Sequence, residues 1–383
     1  MTLIKKKIAI SALHIRPGKC GSHEPYLVNL LRGLSKVDKV NQYTIFVNSI
    51  NKYLFFDLND NYLLYECSSL TRFVVIRIIY EQLILPIMIY FRKKFDVVHF
   101  PGNIIPFIHP FPTIVTIHTD SFRARSSMKR LQRIYYDIFM RNNYYATKII
   151  VPSNVYKNQL IELCSFQSTK ITPIHHGFDT NFSEKSFEEK KEFQLQWKIE
   201  KDSLLSVTNT QPHKNLINLF SALEYLDLNF GINLQLVLVG YINIKLLNNY
   251  LNVAVQNPKN LIKRIKIIQF TNNSELPEIY NSSSIFILPS KEESFGMPII
   301  EAMACNMPIV ISNIPVFKEI AADAALYFDP DNPQDIAIKI KDVVINNNQR
   351  KTLCENGKRI IKNYSWEKTA LQTLETYLSV DTK

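Results

Sequence analysis

The chain has 383 residues, of which 46% are hydrophobic, and it carries a formal net charge of +11 at pH 7. This length exceeds one typical core and suits two domains, while the composition and the lack of repeats exclude a solenoid and a disordered chain. The five cysteines are scattered and odd in number, which predicts reduced thiols and a cytoplasmic protein.

The positive charge has three interpretations: binding to nucleic acid, to an anionic membrane face, or to anionic small substrates. Basic residues gather at residues 72–94 and 123–141, and aromatic residues are interleaved with the second group. This pattern favours a surface that rests on acidic lipid headgroups, with a solvated helix face as the alternative. Nucleic acid is disfavoured because no known nucleic-acid module is present.

Short apolar runs alternate with longer amphipathic runs, which predicts an α/β protein of parallel sheets and crossover helices. The predicted strands of the first half are residues 8–13, 43–47, 97–100, 113–117, 149–151 and 171–174. Those of the second half are residues 204–207, 234–239, 265–270, 285–288, 309–311 and 325–328. The sequence therefore predicts two doubly wound, Rossmann-like domains.

The domain boundaries follow from composition. Residues 1–180 form the first predicted domain, and residues 181–202, rich in Glu, Lys and Gln, a linker with an exposed helix. Residues 203–363 form the second domain, and residues 364–383 a C-terminal helix capped by Ser365.

Two segments resemble membrane-targeting elements. Lysines precede the apolar residues 8–15, but polar residues and a proline end that run, so we interpret it as the first strand. Residues 73–91 contain Arg77, Glu81 and Pro86, and we expect them not to span a bilayer.

The most informative stretch is residues 289–308, which combines an apolar strand, a tight turn, a helix start at Pro298 and two carboxylates. Glu293 and Glu301 stand eight positions apart, Glu293 in the loop and Glu301 in the first turn of the predicted helix. In an open α/β sheet ligands bind at this edge, where the helix dipole and free N–H groups face the crevice. The two carboxylates are therefore predicted to reach one ligand.

This spacing, with Phe-Gly-Met-Pro between the acids and Ala-Met-Ala behind them, resembles the retaining GT-B glycosyltransferases of group one (family four), of the kind that build bacterial surface polysaccharides. The resemblance implies two Rossmann-like domains facing a central cleft. The first is on the acceptor side, the second binds the nucleotide sugar, and the C-terminal helix packs back on the first.

The resemblance also implies residue roles. Glu293 holds the transferred sugar, Glu301 the ribose, and Lys214 the diphosphate, while Gly18 and Gly21 form a glycine-rich loop on the opposite wall. The implied catalytic residues are His118, Lys214 and Glu293. The implied donor-binding residues are Gly18, Gly21, Asn209, Lys214, Phe270, Thr271, Glu293, Ser294, Phe295, Gly296, Met297 and Glu301.

The segment before Lys214 departs from the family pattern, which has a Gly just past the strand and often an Arg five residues before the Lys. Here Thr208 and Asn209 stand instead, so one phosphate-binding cation is expected to be missing. Asn209 remains a neutral donor, which is weaker than a charged one.

No metal site is predicted. Asp329 and Asp331 form an Asp-x-Asp element, but they lie between a strand and a helix, where Asp favours turns and caps. The adjacent His175 and His176 are expected to belong to a turn in which Gly177 adopts an unusual backbone conformation. Residues 101–103 are expected on the acceptor side.

The sequence thus predicts a metal-independent hexosyltransferase without a cofactor. The resemblance implies that it moves a sugar, with mannose the first candidate, from a nucleoside diphosphate sugar to a glycan or lipid-linked acceptor, with retention. We expect it in the cytoplasm, peripheral at the anionic inner face of the membrane. Two alternatives stay open: a nucleotide-sugar epimerase of the same fold, and a non-catalytic scaffold that binds nucleotide or glycan.

Overall fold

The computed structural model describes residues 5–18, 21–92, 95–118, 138, 140–269 and 275–381. The chain divides into two compact units: unit 1 is Met1–Gly177 with Ser365–Lys383, and unit 2 is Phe178–Tyr364. Phe270, Thr271 and most of the second basic group, between residues 119 and 137, lie outside the described residues.

Unit 1 is built on a seven-stranded parallel sheet in the order β3-β2-β1-β4-β5-β6-β7. The strands are β1 Lys7–Ser11, β2 Gln42–Val47, β3 Tyr62–Glu66, β4 Val97–Phe100, β5 Thr113–Thr116, β6 Lys148–Val151 and β7 Ile171–Pro173. Most are short Val- and Ile-rich runs buried on both faces, as in parallel sheets covered by helices. The winding direction reverses between β1 and β4.

The helices described in unit 1 are His23–Val37, Val74–Ile79, Leu85–Arg92, Asn154–Cys164 and Trp366–Leu378. The last of these begins at the predicted cap, because Ser365 accepts a hydrogen bond from the Lys368 amide. It packs on His23–Val37 at Gly33, where a Cβ would lie 2.6 Å from the Trp366 carbonyl oxygen. Lys6 donates to the carbonyl oxygens of Tyr377 and Leu378 at the end of this helix, both at 3.2 Å.

The expectation of an unusual backbone at Gly177 is wrong. Gly177 is not among the glycines with positive φ. A Cβ there would lie 2.2 Å from the Trp366 nitrogen and 2.4 Å from the Ser365 carbonyl carbon. Glycine is therefore required by the close approach of the C-terminal helix, and not by a left-handed conformation.

Arg77, Glu81 and Pro86 do not interrupt their segment. Residues Val74–Arg92 form one continuous helix, with a π-helical turn at Tyr80–Ile84. By length and composition alone this helix is apolar enough to cross a membrane, with a mean hydropathy of 1.8 and few of its residues buried. One face packs on the core of unit 1 through Tyr80, Leu85 and Ile89. The other face exposes Val75, Ile76, Ile79, Leu83, Ile84, Ile87, Tyr90 and Phe91.

Unit 2 is built on a six-stranded parallel sheet in the order β10-β9-β8-β11-β12-β13. The strands are β8 Ser203–Val207, β9 Gln235–Val239, β10 Ile265–Ile268, β11 Ile285–Leu288, β12 Ile309–Ser312 and β13 Ala325–Phe328. The winding direction reverses between β8 and β11.

The helices described in unit 2 are Phe187–Trp197, Leu216–Phe230, Ile244–Ala254, Pro258–Ile262, Leu276–Ser282, Met297–Ala304, Pro315–Ala321, Pro333–Ile345 and Asn347–Ile360. The predicted linker, residues 181–202, falls within unit 2. Its helix Phe187–Trp197 contacts Leu276–Ser282, and Trp197 donates to the Glu278 carboxylate at 2.9 Å.

Candidate active site

The switch point of the unit 2 sheet brings together the loops that follow β8 and β11. In open α/β sheets ligands bind at this place, because the loops on either side turn apart and leave a crevice. The loop after β8 ends in the 3-10 turn Pro212–Lys214. The loop after β11 carries Glu293 and leads into the helix Met297–Ala304.

Lys214 and Glu293 contact each other at this switch point. The Lys214 Nζ lies 2.5 Å from the Glu293 Oε1, although 79 residues separate them in the sequence. Their side chains are 15% and 18% exposed, so water screens the pair only in part. The sequence predicts that these two residues share a ligand, and the structure places them side by side. Together they can offer a cation to phosphate oxygens and a carboxylate to sugar hydroxyls.

The site is framed by Asn215, a residue that the sequence analysis missed. Its backbone lies in the left-handed region, with a φ of 57°, which Asn tolerates better than most residues. Its side-chain amide donates to the carbonyl oxygens of Pro289 at 3.1 Å and Pro330 at 2.7 Å. It therefore ties together the loops after β8, β11 and β13. The sequence signal that could have identified this residue is its position directly after Lys214.

The helix Met297–Ala304 starts beside Glu293, as predicted. Gly296 is its N-cap with a φ of 105°, and Pro298 lies in the first turn, where its missing N–H is not needed. Phe295 and Gly296 are buried, while Ser294 and Met297 are partly exposed. The start of this helix presents N–H groups and the positive end of its dipole, a combination that favours anions.

Glu301 is placed differently from the prediction. It is the fifth residue of the helix Met297–Ala304 and so belongs to the second turn, not the first. It is only 9% exposed, and its Oε2 accepts a hydrogen bond from the Tyr280 hydroxyl at 2.7 Å. Burial raises the pKa of Glu301 to about 7, while the Tyr280 hydrogen bond acts in the opposite direction. Tyr280 was also missed by the sequence analysis.

The segment that departs from the family pattern is closely packed. The Asn209 Oδ1 accepts from the Gln211 amide at 2.9 Å, so the side chain closes the turn after β8. Gly240, at the end of β9, has a φ of 130°, and a Cβ there would lie 2.1 Å from the Thr208 carbonyl oxygen. Thr208 is therefore held against the glycine that directly follows the neighbouring strand.

The carboxylates of the Asp-x-Asp element have partners within unit 2. The Asp329 Oδ1 accepts from the Asp331 amide at 2.9 Å, and Asp331 pairs with Lys291. Across the described part of the chain, no cluster of three or more His, Cys, Asp or Glu residues could hold a metal ion.

In unit 1, Gly18 and Gly21 have φ values of 68° and 55°, so the loop after β1 bends where predicted. His118, two residues past β5, is 6% exposed. Its Nε2 lies 3.1 Å from the Pro101 carbonyl oxygen, which only a protonated Nε2 can bond. Burial lowers its pKa well below 6.5, so the imidazole is neutral.

His118 belongs to a group of aromatic rings that the sequence analysis did not predict. The rings of Tyr26 and His23 lie 4.2 and 4.8 Å from that of His118, between centroids. His176 lies 5.5 Å away and stacks on Trp366. Burial lowers the pKa of His23 to about 4 and that of His176 to about 3. The group is therefore neutral near pH 7.

Two doubly wound units, with a cation and a carboxylate meeting at the switch point of the second, define the GT-B class of fold. The sequence matches the Glycosyltransferase Family 4 profile over residues 25–182 and the Glycosyl transferases group 1 profile over residues 187–360. The two ranges take in most of the chain, which belongs to the group 1 glycosyltransferases.

Curated relatives include enzymes of O-antigen synthesis. The chain is 26% identical to O-antigen chain mannosyltransferase B of Escherichia coli over 242 residues, 61% of this chain and 60% of that protein. It is 24% identical to O-antigen chain mannosyltransferase RfbU of Salmonella typhimurium over 214 residues, 56% of each. The match thus spans less than two thirds of either relative.

Among solved structures, HepE of Anabaena in complex with UDP-glucose is similar with a TM-score of 0.75 and 17% identity. The similarity covers 98% of this chain and 100% of that chain, and it shows the shared fold.

Proposed function

We propose that the protein transfers a hexose, with mannose the first candidate, from a nucleoside diphosphate sugar to a glycan or lipid-linked acceptor of a surface polysaccharide. The observation that carries this proposal is the contact between Lys214 and Glu293 at the unit 2 switch point. The two mannosyltransferases of O-antigen synthesis support mannose and this acceptor class. The HepE complex with UDP-glucose supports uridine donors as the second choice.

The arrangement suggests how the charges of the reaction are met. As the bond between the donor sugar and the diphosphate breaks, the diphosphate gains negative charge. Lys214 can then release Glu293 and bind the phosphate oxygens. Glu293 then accepts hydrogen bonds from sugar hydroxyls, and the N-terminus of Met297–Ala304 supplies further donors. With Lys214 as the cation, we propose that no metal ion is needed.

We further propose that the anomeric configuration is retained. The acceptor hydroxyl attacks the anomeric carbon from the face that the diphosphate leaves, and a departing phosphate oxygen takes the hydroxyl proton. The bond from carbon to the phosphate oxygen breaks as the new glycosidic bond forms. This route needs no covalent protein nucleophile.

Donor turnover tests the proposal. The protein is incubated with GDP-mannose, UDP-glucose and a thymidine diphosphate sugar, with and without EDTA, and release of nucleoside diphosphate is measured. We expect slow release from one donor, insensitive to EDTA and lost in Glu293→Gln. Glu355→Gln, which removes an exposed carboxylate from the same unit, is the control. Isomerised sugar would favour the epimerase, and no turnover with any donor would favour the scaffold.

We also propose that the protein works at the inner face of the cytoplasmic membrane. The Val74–Arg92 helix exposes a row of large apolar side chains, among them Ile79 at 50%, Leu83 at 55% and Ile87 at 56%. Arg72 and Arg92 lie at its two ends and are exposed. An apolar face flanked by cations suits a helix that lies in the plane of an anionic bilayer.

Vesicle sedimentation tests this location. We expect the protein to co-sediment with phosphatidylglycerol vesicles at low salt and much less with phosphatidylcholine vesicles. The double variant Ile79→Ser with Leu83→Ser should lose most of this binding. Leu195→Ser removes a side chain that is 74% exposed on a unit 2 helix and should retain it. Equal binding by the double variant and the wild type would contradict the proposed role of the helix.

A further inference from the structure

A small cavity lies at the switch point of the unit 1 sheet. It has a volume of about 60 Å³, and its lining includes Ser11, His14, Arg77, Glu81, Phe100 and Gly102. Ser11 ends β1 and Phe100 ends β4, the two strands between which the winding direction reverses. The cavity therefore occupies in unit 1 the topological position at which open α/β sheets bind ligands.

Arg77 and Glu81 form the charged wall of this cavity, and their mutual contact is loose. The Arg77 Nε lies 3.5 Å from the Glu81 Oε2, well beyond the roughly 2.7–2.9 Å of a charge-assisted hydrogen bond. Among the residues that the structure describes, this buried Nε has no hydrogen-bond partner. Ser11 donates to the Glu81 Oε1 at 3.2 Å, and the Arg77 Nη1 donates to the His14 carbonyl oxygen at 3.1 Å. Both charged groups thus retain hydrogen-bonding capacity.

Two local irregularities meet at the same cavity. Glu81 lies in the π-helical turn Tyr80–Ile84, and such turns occur often at functional sites. Gly102 follows β4, and a Cβ there would lie 2.8 Å from the His14 ring. Because residue 102 has no side chain, the His14 ring can pack against its backbone beside the cavity.

The chemistry of the wall selects the ligand class. A phosphate would meet the Glu81 carboxylate, and an ammonium group would meet the Arg77 guanidinium, so neither charge is favoured. Hydroxyl groups donate and accept at once, and an adjacent carboxylate and guanidinium satisfy both roles. A single water needs about 10–15 Å³ of such a cavity, so the cavity suits a hydroxymethyl group or a pair of hydroxyls better than a whole sugar ring.

We propose that Arg77, Glu81 and Ser11 form a subsite that binds hydroxyl groups of the acceptor saccharide. This inference rests on the proposed glycosyl transfer and adds the residues that hold the acceptor. The helix that carries Arg77 and Glu81 also carries the exposed apolar face. A saccharide attached to a lipid would thus find its polar and apolar contacts on opposite faces of one helix.

Saturation-transfer NMR with methyl α-mannopyranoside and methyl α-glucopyranoside tests the subsite. We expect millimolar binding of at least one glycoside to the full-length wild type and a loss of about tenfold or more in Glu81→Gln. Ser11→Ala should weaken the same binding more mildly, and Glu355→Gln is the matched control. Arg77→Met should weaken the binding as well. Because Glu81→Gln keeps the side-chain shape, it carries the test even where Arg77→Met fails to fold.

The outcomes separate this inference from the proposed function. A thermal shift of the wild type with GDP or UDP reports on the donor site, since a ligand of the folded state raises Tm. Suppose that a nucleotide raises Tm but Glu81→Gln leaves glycoside binding unchanged. This result overturns the subsite and leaves the proposed function standing. If neither glycoside binds the wild type, the subsite is also overturned. Lack of any nucleotide shift or donor turnover counts against the proposed function instead.

Discussion

The two units place a cation and a carboxylate at the switch points of their sheets, but they build the pair differently. In unit 2, Lys214 and Glu293 come from two loops and meet at 2.5 Å beside the start of a helix. In unit 1, Arg77 and Glu81 come from one helix, four residues apart, and stand 3.5 Å apart beside a cavity. The first arrangement suits a highly charged ligand with a sugar attached, and the second suits neutral hydroxyls.

The largest expected effect is the loss of the unit 2 cation. Lys214→Met should reduce donor turnover by about 10²–10³-fold, the usual cost of removing one group that stabilises developing negative charge. The comparison predicts a different result in unit 1, where Arg77→Met should raise the acceptor KM. Steady-state kinetics with each substrate varied in turn measure both.

Lys351→Met, which removes an exposed lysine of unit 2, is the control for charge alone. A similar loss of donor turnover in Lys351→Met would show that the general charge of the unit, and not Lys214 in particular, acts on the donor.

The next effect is on stability, and it compares a glycine near the unit 2 switch point with a glycine beside the unit 1 cavity. Gly240→Ala should destabilise unit 2 by about 3 kcal/mol or more, because the Cβ would meet the backbone oxygen of Thr208 at a strained φ of 130°. Gly102→Ala should cost less, about 1–3 kcal/mol, because the new Cβ would meet the His14 side chain at 2.8 Å without a strained φ. Urea unfolding measures both.

Gly357→Ala serves as the reference for these two substitutions. The new methyl group would lie 3.5 Å from its nearest neighbour, the Met303 Cγ, on an ordinary helix. This substitution should stabilise the protein by roughly 0.5–1 kcal/mol. A cost at Gly102 equal to that at Gly240 would show that the unit 1 crevice is as rigid as that of unit 2.

A third effect depends on pH. Because burial raises the pKa of Glu301 to about 7 from 4.5, the folded state holds a proton that the unfolded state has released between these values. The stability of the wild type should therefore fall relative to Glu301→Gln as the pH rises from about 4.5 to above 7. At about 1.4 kcal/mol per pKa unit, the difference reaches about 3–4 kcal/mol at pH 8.

Thermal unfolding of both proteins between pH 5 and pH 8 measures this difference. A constant difference in Tm across that range would mean that Glu301 is already ionised at pH 5, held by its contact with Tyr280.

Much of the fold was predictable because parallel strands are short apolar runs. The strand Tyr62–Glu66 was missed since it lies at the sheet edge and none of its residues is buried. In unit 2, Lys214 and Glu293 stood out because they follow strands in polar loops. Arg77 and Glu81 did not stand out, because they lie inside an apolar helix. In the sequence they were interpreted as interruptions of a candidate membrane segment. Tyr280 was not predicted because its contact with Glu301 is between residues distant in sequence.

Asn215 has one consequence for measurements on this protein. Its amide fixes the base of the loop that carries Lys214 by hydrogen bonds to two carbonyl oxygens, and neither partner carries a formal charge. Such a clamp is insensitive to ionic strength and to acidity across the working range. A salt titration of turnover should therefore report on the charged groups themselves, which are the substrate and the Lys214–Glu293 pair, because the scaffold around the lysine stays constant.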